Sequence, residues 1–174
     1  TDLTGKHALP PLWSLGYIQS KYGYNNENEA RNIVNELKND GFPLDALVLD
    51  LYWFGQLSDM GNLDWDYQKW NQPEQMMADF ETQGVKTILI TEPYFTLQSA
   101  NYSYLSENEL LATDATGEPF VFWGFWAGDA GLLDMTKPEA TDWMWQFYAD
   151  RHDEGVAGWW CDLGEPESHA GQHP

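Results

Sequence analysis

Residues 45–53 read Asp-Ala-Leu-Val-Leu-Asp-Leu-Tyr-Trp, a run that is dense in apolar residues and lacks polar alternation. A strand covered on both faces has this pattern, whereas a strand with one solvated face alternates. Residues 85–90, Val-Lys-Thr-Ile-Leu-Ile, form a second run of the same kind. The two runs predict parallel strands inside an α/β domain.

Helical patterns separate these strands. Apolar residues recur at helical spacing in residues 27–40, and Asn26 with Glu29 resembles a capping arrangement at the start. A second helix is predicted over residues 73–84, with a proline in its first turn and a glycine at its end. Strand and helix patterns therefore alternate along the chain.

The pattern extends to both ends of the chain. Residues 13–17 predict a first strand and residues 156–161 a last one. Thr136 and Glu139 predict a capping box at the head of a third helix. The segment 91–135, rich in glycine and aromatics, is too long for an ordinary connection, so we expect a βα loop with a small subdomain. This order implies a parallel sheet with right-handed crossovers.

Two architectures fit four parallel strands, which do not close a barrel by themselves. One is an open doubly wound sheet, and the other is half of an eight-stranded barrel. Neither residues 15–17 nor residues 53–55 have the spacing of a glycine-rich phosphate loop. The nucleotide-binding version of the open sheet is therefore disfavoured.

The composition narrows the class of ligand. Aromatic residues are in excess, with 10 Trp, 9 Tyr and 8 Phe, and their faces stack on sugar rings. A heavily aromatic core explains the excess equally well. A net charge of -20 disfavours nucleic acid and anionic membrane surfaces, so a neutral substrate fits best. No apolar run approaches the roughly 20 residues of a membrane span.

Cysteine and histidine offer no metal or redox site. The single cysteine, Cys161, excludes an internal disulfide, leaves the compartment open and is predicted to be a buried, inert thiol. His169 and His173 have a helical ligand spacing, but Gly171 and Pro174 favour a solvated loop. We expect no metal or cofactor. Thr1 in place of an initiating Met suggests a processed or excised piece.

Carboxylates gather where the predicted strands end. Asp50 ends the second strand, Glu92 the third, and Asp162 with Glu165 the fourth. In a barrel, those ends form the active-site face. Each carboxylate alone is explained by capping of a helix or loop, whereas the set at matching strand ends favours a functional site.

Residues 159–167, Trp-Trp-Cys-Asp-Leu-Gly-Glu-Pro-Glu, are the most informative segment. Trp160 and Asp162 point to the same side of a strand because side chains alternate. A carboxylate beside an indole suits a glycosidase nucleophile, which stays ionised and faces an oxocarbenium-like transition state.

Several motifs in one order resemble glycoside hydrolase family 31, which includes α-glucosidases, α-xylosidases and α-transglucosylases. The resemblance spans nearly all 174 residues. Its motifs lie at residues 12–16, 22–24, 41–45, 49–53, 92–94, 126–128, 133–138 and 160–165. It implies that residues 1–174 form the N-terminal half of a TIM (β/α)₈ barrel, about four βα units with a long loop after the third strand.

The resemblance also implies roles for individual residues. Asp162 aligns with the nucleophile, and Asp50 with the aspartate that binds hydroxyls at the non-reducing end of the sugar. Trp126 and Trp160 align with aromatic walls of the same subsite. Leu163 occupies a position that is often Met in the family, next to the nucleophile.

One further departure and one gap accompany these assignments. Gly164 replaces a common Asn, and residues 162–167 look like a bacterial subgroup that contains α-glucosyltransferases. Glu165 and Glu92 remain further candidates for the site. The acid/base aspartate of the family comes from a later part of the barrel, so we assign it to no residue of this chain.

The sequence therefore predicts a retaining hydrolase of α-linked glucosides that works by double displacement. The alternatives are an α-transglucosylase of the same family, namely a 4-α-glucosyltransferase, and a non-catalytic carbohydrate-binding half barrel. The expected partners are an α-glucoside oligosaccharide and the remaining half of the barrel, on another chain or in a further segment. Neither nucleic acid nor membrane is expected.

Overall fold

The computed structural model describes residues 3–167, so the loop predicted around His169 and His173 lies outside the described residues. In chain order the elements are β1 (Tyr17–Gln19), α1 (Glu27–Asn39), β2 (Leu44–Leu49), α2 (Pro73–Thr82), β3 (Lys86–Thr91), β4 (Tyr94–Thr96), α3 (Tyr102–Glu107), β5 (Val121–Phe122), β6 (Ala130–Leu132), α4 (Pro138–Glu154) and β7 (Gly158–Cys161). Short 3₁₀ helices lie at Leu12–Leu15 and Leu57–Asp59.

The main sheet has four strands in the order β1-β2-β3-β7, and every neighbouring pair is parallel. Val48 of β2 pairs with Ile88 of β3, and Ile90 of β3 pairs with Trp160 of β7. Helix α1 packs on β2, α2 packs on β3, and the two helices contact each other, so both lie on one face of the sheet. A doubly wound sheet has helices on both faces. The arrangement is that of the first half of a barrel, as predicted.

The helices α1 and α2 have the predicted signals. The side chain of Asn26 accepts a hydrogen bond of 3.0 Å from the backbone N–H of Glu29, which caps α1. Helix α2 buries Met76, Met77 and Phe80, the apolar positions of its sequence pattern. The local pattern therefore specifies both helices and the faces they bury.

The prediction of a strand over residues 13–17 is wrong, because residues 12–15 form a 3₁₀ helix and β1 begins at Tyr17. Ser14 donates hydrogen bonds from its N–H and its hydroxyl to the carbonyl of Pro11, at 3.0 and 2.8 Å. Such local bonds compete with strand pairing. The apolar run packs through Trp13 instead, whose ring would lie 3.5 Å from a Cβ atom on Gly158.

The predicted capping box at Thr136 is also wrong. Helix α4 begins at Pro138, and Lys137 is its N-cap residue without a side-chain capping bond. The hydroxyl of Thr136 donates instead to Asp134 Oδ1 at 2.6 Å. The start of the helix therefore follows from Pro138, whose fixed φ suits the first helical position.

Cys161 is exposed, so the predicted buried thiol is wrong. It does lie on the face of β7 opposite to Asp162, and its Sγ is 3.6 Å from the hydroxyl of Tyr148 in α4. β7 is the last strand of the described sheet, and Cys161 stands at its end. Its exposure follows from this edge position.

The segment between β3 and α4 forms the small subdomain that its length predicts. Its three strands form an antiparallel sheet in the order β4-β6-β5, and α3 lies between β4 and β5 along the chain. Phe95, Leu105 and Leu111 of this subdomain share a core cluster with Met144 of α4. This shared core holds the subdomain in place at the end of β3.

Candidate active site

The carboxylate of Asp50 stands directly after β2. Its side chain is 9% exposed, and Oδ1 accepts a hydrogen bond of 2.7 Å from the backbone N–H of Leu51. Burial raises the pKa of Asp50, and the charge of Asp162 raises it further. Tyr52, two residues after Asp50, has a φ of 76°, so the chain turns sharply just after the strand end that carries the carboxylate.

Asp162 stands at the matching position after β7. Its backbone N–H donates to the carbonyl of Thr91 at 2.9 Å, which extends the pairing of β3 and β7 by one residue. Its Oδ1 accepts a bond of 3.0 Å from the N–H of Leu163, whose φ of 54° is positive. The carboxylates of Asp50 and Asp162 are thus oriented in the same way, because each accepts a hydrogen bond from the backbone N–H of the following residue.

Glu92 follows β3, between these two strands in the sheet. The residue is 6% exposed, and its Oε2 has no hydrogen-bond partner among residues 3–167. Burial raises the pKa of Glu92 to about 8, with smaller contributions from the charges of Asp162, Glu167 and Asp50.

These strand ends enclose a pocket of about 400 Å³. The pocket is lined by Tyr22, Asp50, Leu51, Ile90, Glu92, Trp126, Asp162, Leu163 and Glu167. Among the residues that the structure describes, the lining contains no Lys, Arg or His, and its ionisable groups are four carboxyls and a phenol. A larger pocket of about 600 Å³ lies along the start of α2, and none of the strand-end residues line it.

Most of the predicted site residues meet in this pocket. Asp50, Glu92, Trp126, Asp162 and Leu163 all line it. The role of each residue stays a prediction, since their meeting is a matter of geometry alone.

Trp160 and Glu165 are not among the lining residues. Trp160 lies beside Ile90 in the sheet register and is 41% exposed. Glu165 is exposed on the turn after β7. Both residues keep the place that the sequence predicts, next to the strand end, without reaching the pocket wall.

Sequence reasoning did not select two residues of the pocket, Tyr22 and Glu167. Tyr22 comes shortly after β1, and its side-chain hydrogen bond with Tyr52 raises the pKa of the Tyr22 phenol. Glu167 accepts a hydrogen bond of 3.0 Å from Trp126 Nε1. Tyr22 could have been selected, like Asp50, because it follows a strand. No local sequence pattern predicts the contact of Glu167 with Trp126.

Residues 7–174 match the family described as the glycosyl hydrolases family 31 TIM-barrel domain. The chain belongs to glycoside hydrolase family 31. Its place in that family agrees with the parallel half barrel and with a pocket at the C-terminal ends of the strands, which is the active-site face of such barrels.

Curated relatives align with most of this chain. An alpha-glucosidase 2 of Bacillus thermoamyloliquefaciens is 29% identical over 170 residues, which are 95% of this chain and 21% of the relative. The alpha-xylosidase XylQ of Lactiplantibacillus pentosus is 26% identical over 167 residues, 95% of this chain and 22% of the relative. The chain thus spans about a fifth of the length of these curated relatives.

A solved family 31 structure has a closely similar backbone. A dextranase of Flavobacterium johnsoniae, in complex with glucose, matches with a TM-score of 0.88 and 30% identity over 97% of this chain and 21% of that one.

Among residues 3–167, no helix is both long and apolar enough to cross a bilayer. Nor do three or more potential ligands in that range cluster as a metal site requires.

Proposed function

We propose that this chain carries the nucleophile of a retaining glycoside hydrolase that acts on α-linked glucosides, with Asp162 in that role. The observation that carries the proposal is the pocket at the strand ends, which Asp162 lines together with Asp50 and Trp126. A sugar bound there meets a carboxylate for covalent attack, a second for its hydroxyls and an indole for its apolar face.

The reaction proceeds by double displacement. Asp162 attacks the anomeric carbon, the glycosidic bond breaks, and an acid group protonates the departing oxygen. The product is a β-linked glycosyl ester on Asp162. Water then attacks the same carbon from the other face and gives a proton to the conjugate base of that acid group, which releases the Asp162 carboxylate and restores the α configuration. The bond from the Leu163 amide keeps one oxygen of Asp162 fixed and lets the other attack.

The proposed enzyme needs a further carboxyl group about 5 Å from the nucleophile, across the scissile bond. Following the family resemblance, we assign this acid to a later part of the barrel, beyond the residues described here. The 174-residue chain alone is therefore expected to hydrolyse an aryl α-glucoside at the background rate. Activity that persists through successive purification steps would contradict this assignment.

The substrate class follows from the lining and from the relatives. The described part of the chain contributes four carboxyls and no cationic side chain to the pocket, which disfavours anionic substrates and suits a neutral sugar. Relatives named alpha-glucosidase and alpha-xylosidase favour an α-linked glycan, and we propose an α-glucoside oligosaccharide. A 4-α-glucosyltransferase is the second candidate, favoured by the Asp-Leu-Gly-Glu-Pro-Glu segment at residues 162–167.

The experiment uses the full-length protein that contains this sequence. A 5-fluoro-α-glucosyl fluoride forms the ester quickly and releases it slowly, so the labelled peptide can be mapped by mass spectrometry. We expect the label on Asp162 and none in Asp162→Asn. A label on Glu165 or Glu167 would overturn the assignment. Product analysis with maltose then separates the two candidates, because hydrolysis releases only glucose whereas transfer also produces longer oligosaccharides.

A further inference from the structure

Glu92 is the most buried carboxyl group of the pocket, and no cationic side chain among the described residues lines the pocket with it. It is 6% exposed, against 9% for Asp50, while Asp162 and Glu167 are more exposed. Its Oε2 accepts no hydrogen bond from the described residues. A buried carboxylate oxygen without a donor, in a pocket to which the described residues contribute no cation, is costly, and such a group takes up a proton instead.

Among residues 3–167, the groups that line the pocket around Glu92 add negative charge or none. Asp50 approaches from the end of β2, and Asp162 with Glu167 from beyond β7. Tyr22, from beyond β1, is a phenol that the charge of Glu92 itself affects, and Trp126 is uncharged. Four carboxyls in one lining cannot all ionise at neutral pH without mutual repulsion. The one with the least solvent carries the proton.

We propose that Glu92 is a positioning residue for Asp162, an uncharged carboxylic acid that lets Asp162 remain the ionised carboxylate of the pocket. The inference rests on the proposed function, since it assigns Glu92 a task in the reaction of Asp162. When their surroundings give two neighbouring carboxyl groups different pKa values, one stays protonated as the acid and the other is ionised as the anion. Burial, which raises the pKa of Glu92 to about 8, acts in the same direction.

The expected consequence is a loss of nucleophilic reactivity at alkaline pH. When Glu92 ionises, a further negative charge joins Asp50, Asp162 and Glu167, and the buried carboxylate must recruit water or a neighbouring donor. Both changes disturb the geometry in which Asp162 attacks. Glu92→Gln cannot ionise, keeps nearly the same shape and is therefore expected to be insensitive to pH in this range.

Labelling by a glycosyl fluoride isolates this step. Asp162 forms its bond to the anomeric carbon while the carbon–fluorine bond breaks and fluoride leaves with the electron pair. The leaving fluoride needs no protonation, so ionisation of the acid/base group does not dominate the pH profile. In the full-length protein, we expect the labelling rate to fall by roughly tenfold per pH unit above about 8. The rate for Glu92→Gln should stay level over the same range, whereas Glu107→Gln, an exposed glutamate on α3, should behave like the native protein.

Infrared spectroscopy of the full-length protein tests the protonation without any measurement of activity. The native chain at pH 7 should show the carbonyl stretch of an uncharged carboxylic acid, absent from Glu92→Gln and retained in Glu107→Gln. The band should disappear as the pH passes through about 8. If Glu92→Gln does not fold, ¹³C NMR of native protein labelled at the glutamate carboxyls should show one glutamate that titrates near this value.

Each outcome has one reading. The inference is overturned if every glutamate is ionised at pH 7, or if the labelling rate of Glu92→Gln depends on pH in the same way as that of the native protein. A label on a residue other than Asp162 overturns the proposed function instead. In that case, the infrared and NMR results still decide whether Glu92 holds its proton.

Discussion

Trp126 Nε1 donates a hydrogen bond of 3.0 Å to Glu167 Oε2, although 41 positions separate the two residues. Trp126 belongs to the subdomain inserted between β3 and α4, and Glu167 follows β7. The bond therefore ties the inserted subdomain to the turn that carries Asp162. Both residues line the pocket, so this contact closes one side of it.

The first prediction concerns this contact. Trp126→Phe keeps an aromatic face and removes the N–H, and Glu167→Ala removes the acceptor. Each should raise the dissociation constant of a glucose-configured inhibitor severalfold. Because the bond is exposed, we expect a coupling energy of about 0.5–1 kcal/mol in a double-mutant cycle. Calorimetry on the full-length protein measures it, and a coupling of zero would show that the bond does not order the pocket.

Asp162→Asn keeps the size of the side chain and removes its charge. We expect a loss in kcat on the order of 10³-fold or more, with substrate binding largely retained, because the amide neither attacks nor stabilises positive charge. Steady-state kinetics of the full-length protein on an aryl α-glucoside measure the effect. Asp150→Asn, the same change at an exposed position of α4, should leave kcat unchanged. Comparable losses in both variants would argue against the nucleophile assignment.

Asp50→Asn should behave differently. Its carboxylate is proposed to accept bonds from sugar hydroxyls, and these bonds strengthen in the transition state. We expect kcat/KM to fall while the fluorinated donor still labels Asp162. Kinetics with mapping of the labelled peptide test this, and complete loss of labelling would assign Asp50 a more direct part in the chemistry.

The burial of Glu92 predicts a pH-dependent stability. Its pKa is about 8 in the folded chain and 4.5 for an exposed glutamate, so the folded state binds the proton more tightly. This contribution is complete below about 4.5 and is lost as the pH rises towards 8, at most about 1.4 kcal/mol per pH unit. Urea unfolding at several pH values should show the loss in the native chain relative to Glu92→Gln. A constant difference between the two would contradict it.

Gly23 supplies a test of the turn beside the pocket. It has a φ of 71°, and a Cβ atom there would lie 2.4 Å from the ring of Tyr52. Gly23→Ala should therefore lower the free energy of unfolding by about 2 kcal/mol or more, from backbone strain and the clash together. Gly84→Ala has nearly the same φ, 72°, with open space around it, and should show the strain alone. Equal losses would mean that the Tyr52 ring moves freely.

Much of the fold was predictable from local sequence. The apolar runs of β2 and β3 predict buried parallel strands because both faces need cover, and Asn26 caps α1 through atoms three residues apart. The strand-end carboxylates Asp50 and Asp162 were predictable for the same reason. A residue that follows a barrel strand lies on the active-site face wherever the rest of the chain packs.

The errors arose where several local partners compete. The apolar residues 12–15 have the composition of a strand, yet Pro11 and Ser14 close a 3₁₀ turn. Thr136 has the spacing of a capping residue, yet its hydroxyl donates a hydrogen bond to the Asp134 carboxylate instead. Local pattern identifies the groups that can bond, but it does not rank partners of similar strength.

By itself, the sequence determined the family, the order of the parallel strands and the carboxylates at their ends, because these depend on periodicity and on neighbours along the chain. Only the tertiary structure decided that Glu167 reaches Trp126, that Trp160 does not line the pocket and that Glu92 is buried with its Oε2 unpaired among residues 3–167. These features depend on distances between segments far apart in the chain and on how much solvent the packing leaves at each carboxyl. Solvent exclusion is a property of the assembled surface, and no run of residues encodes it alone.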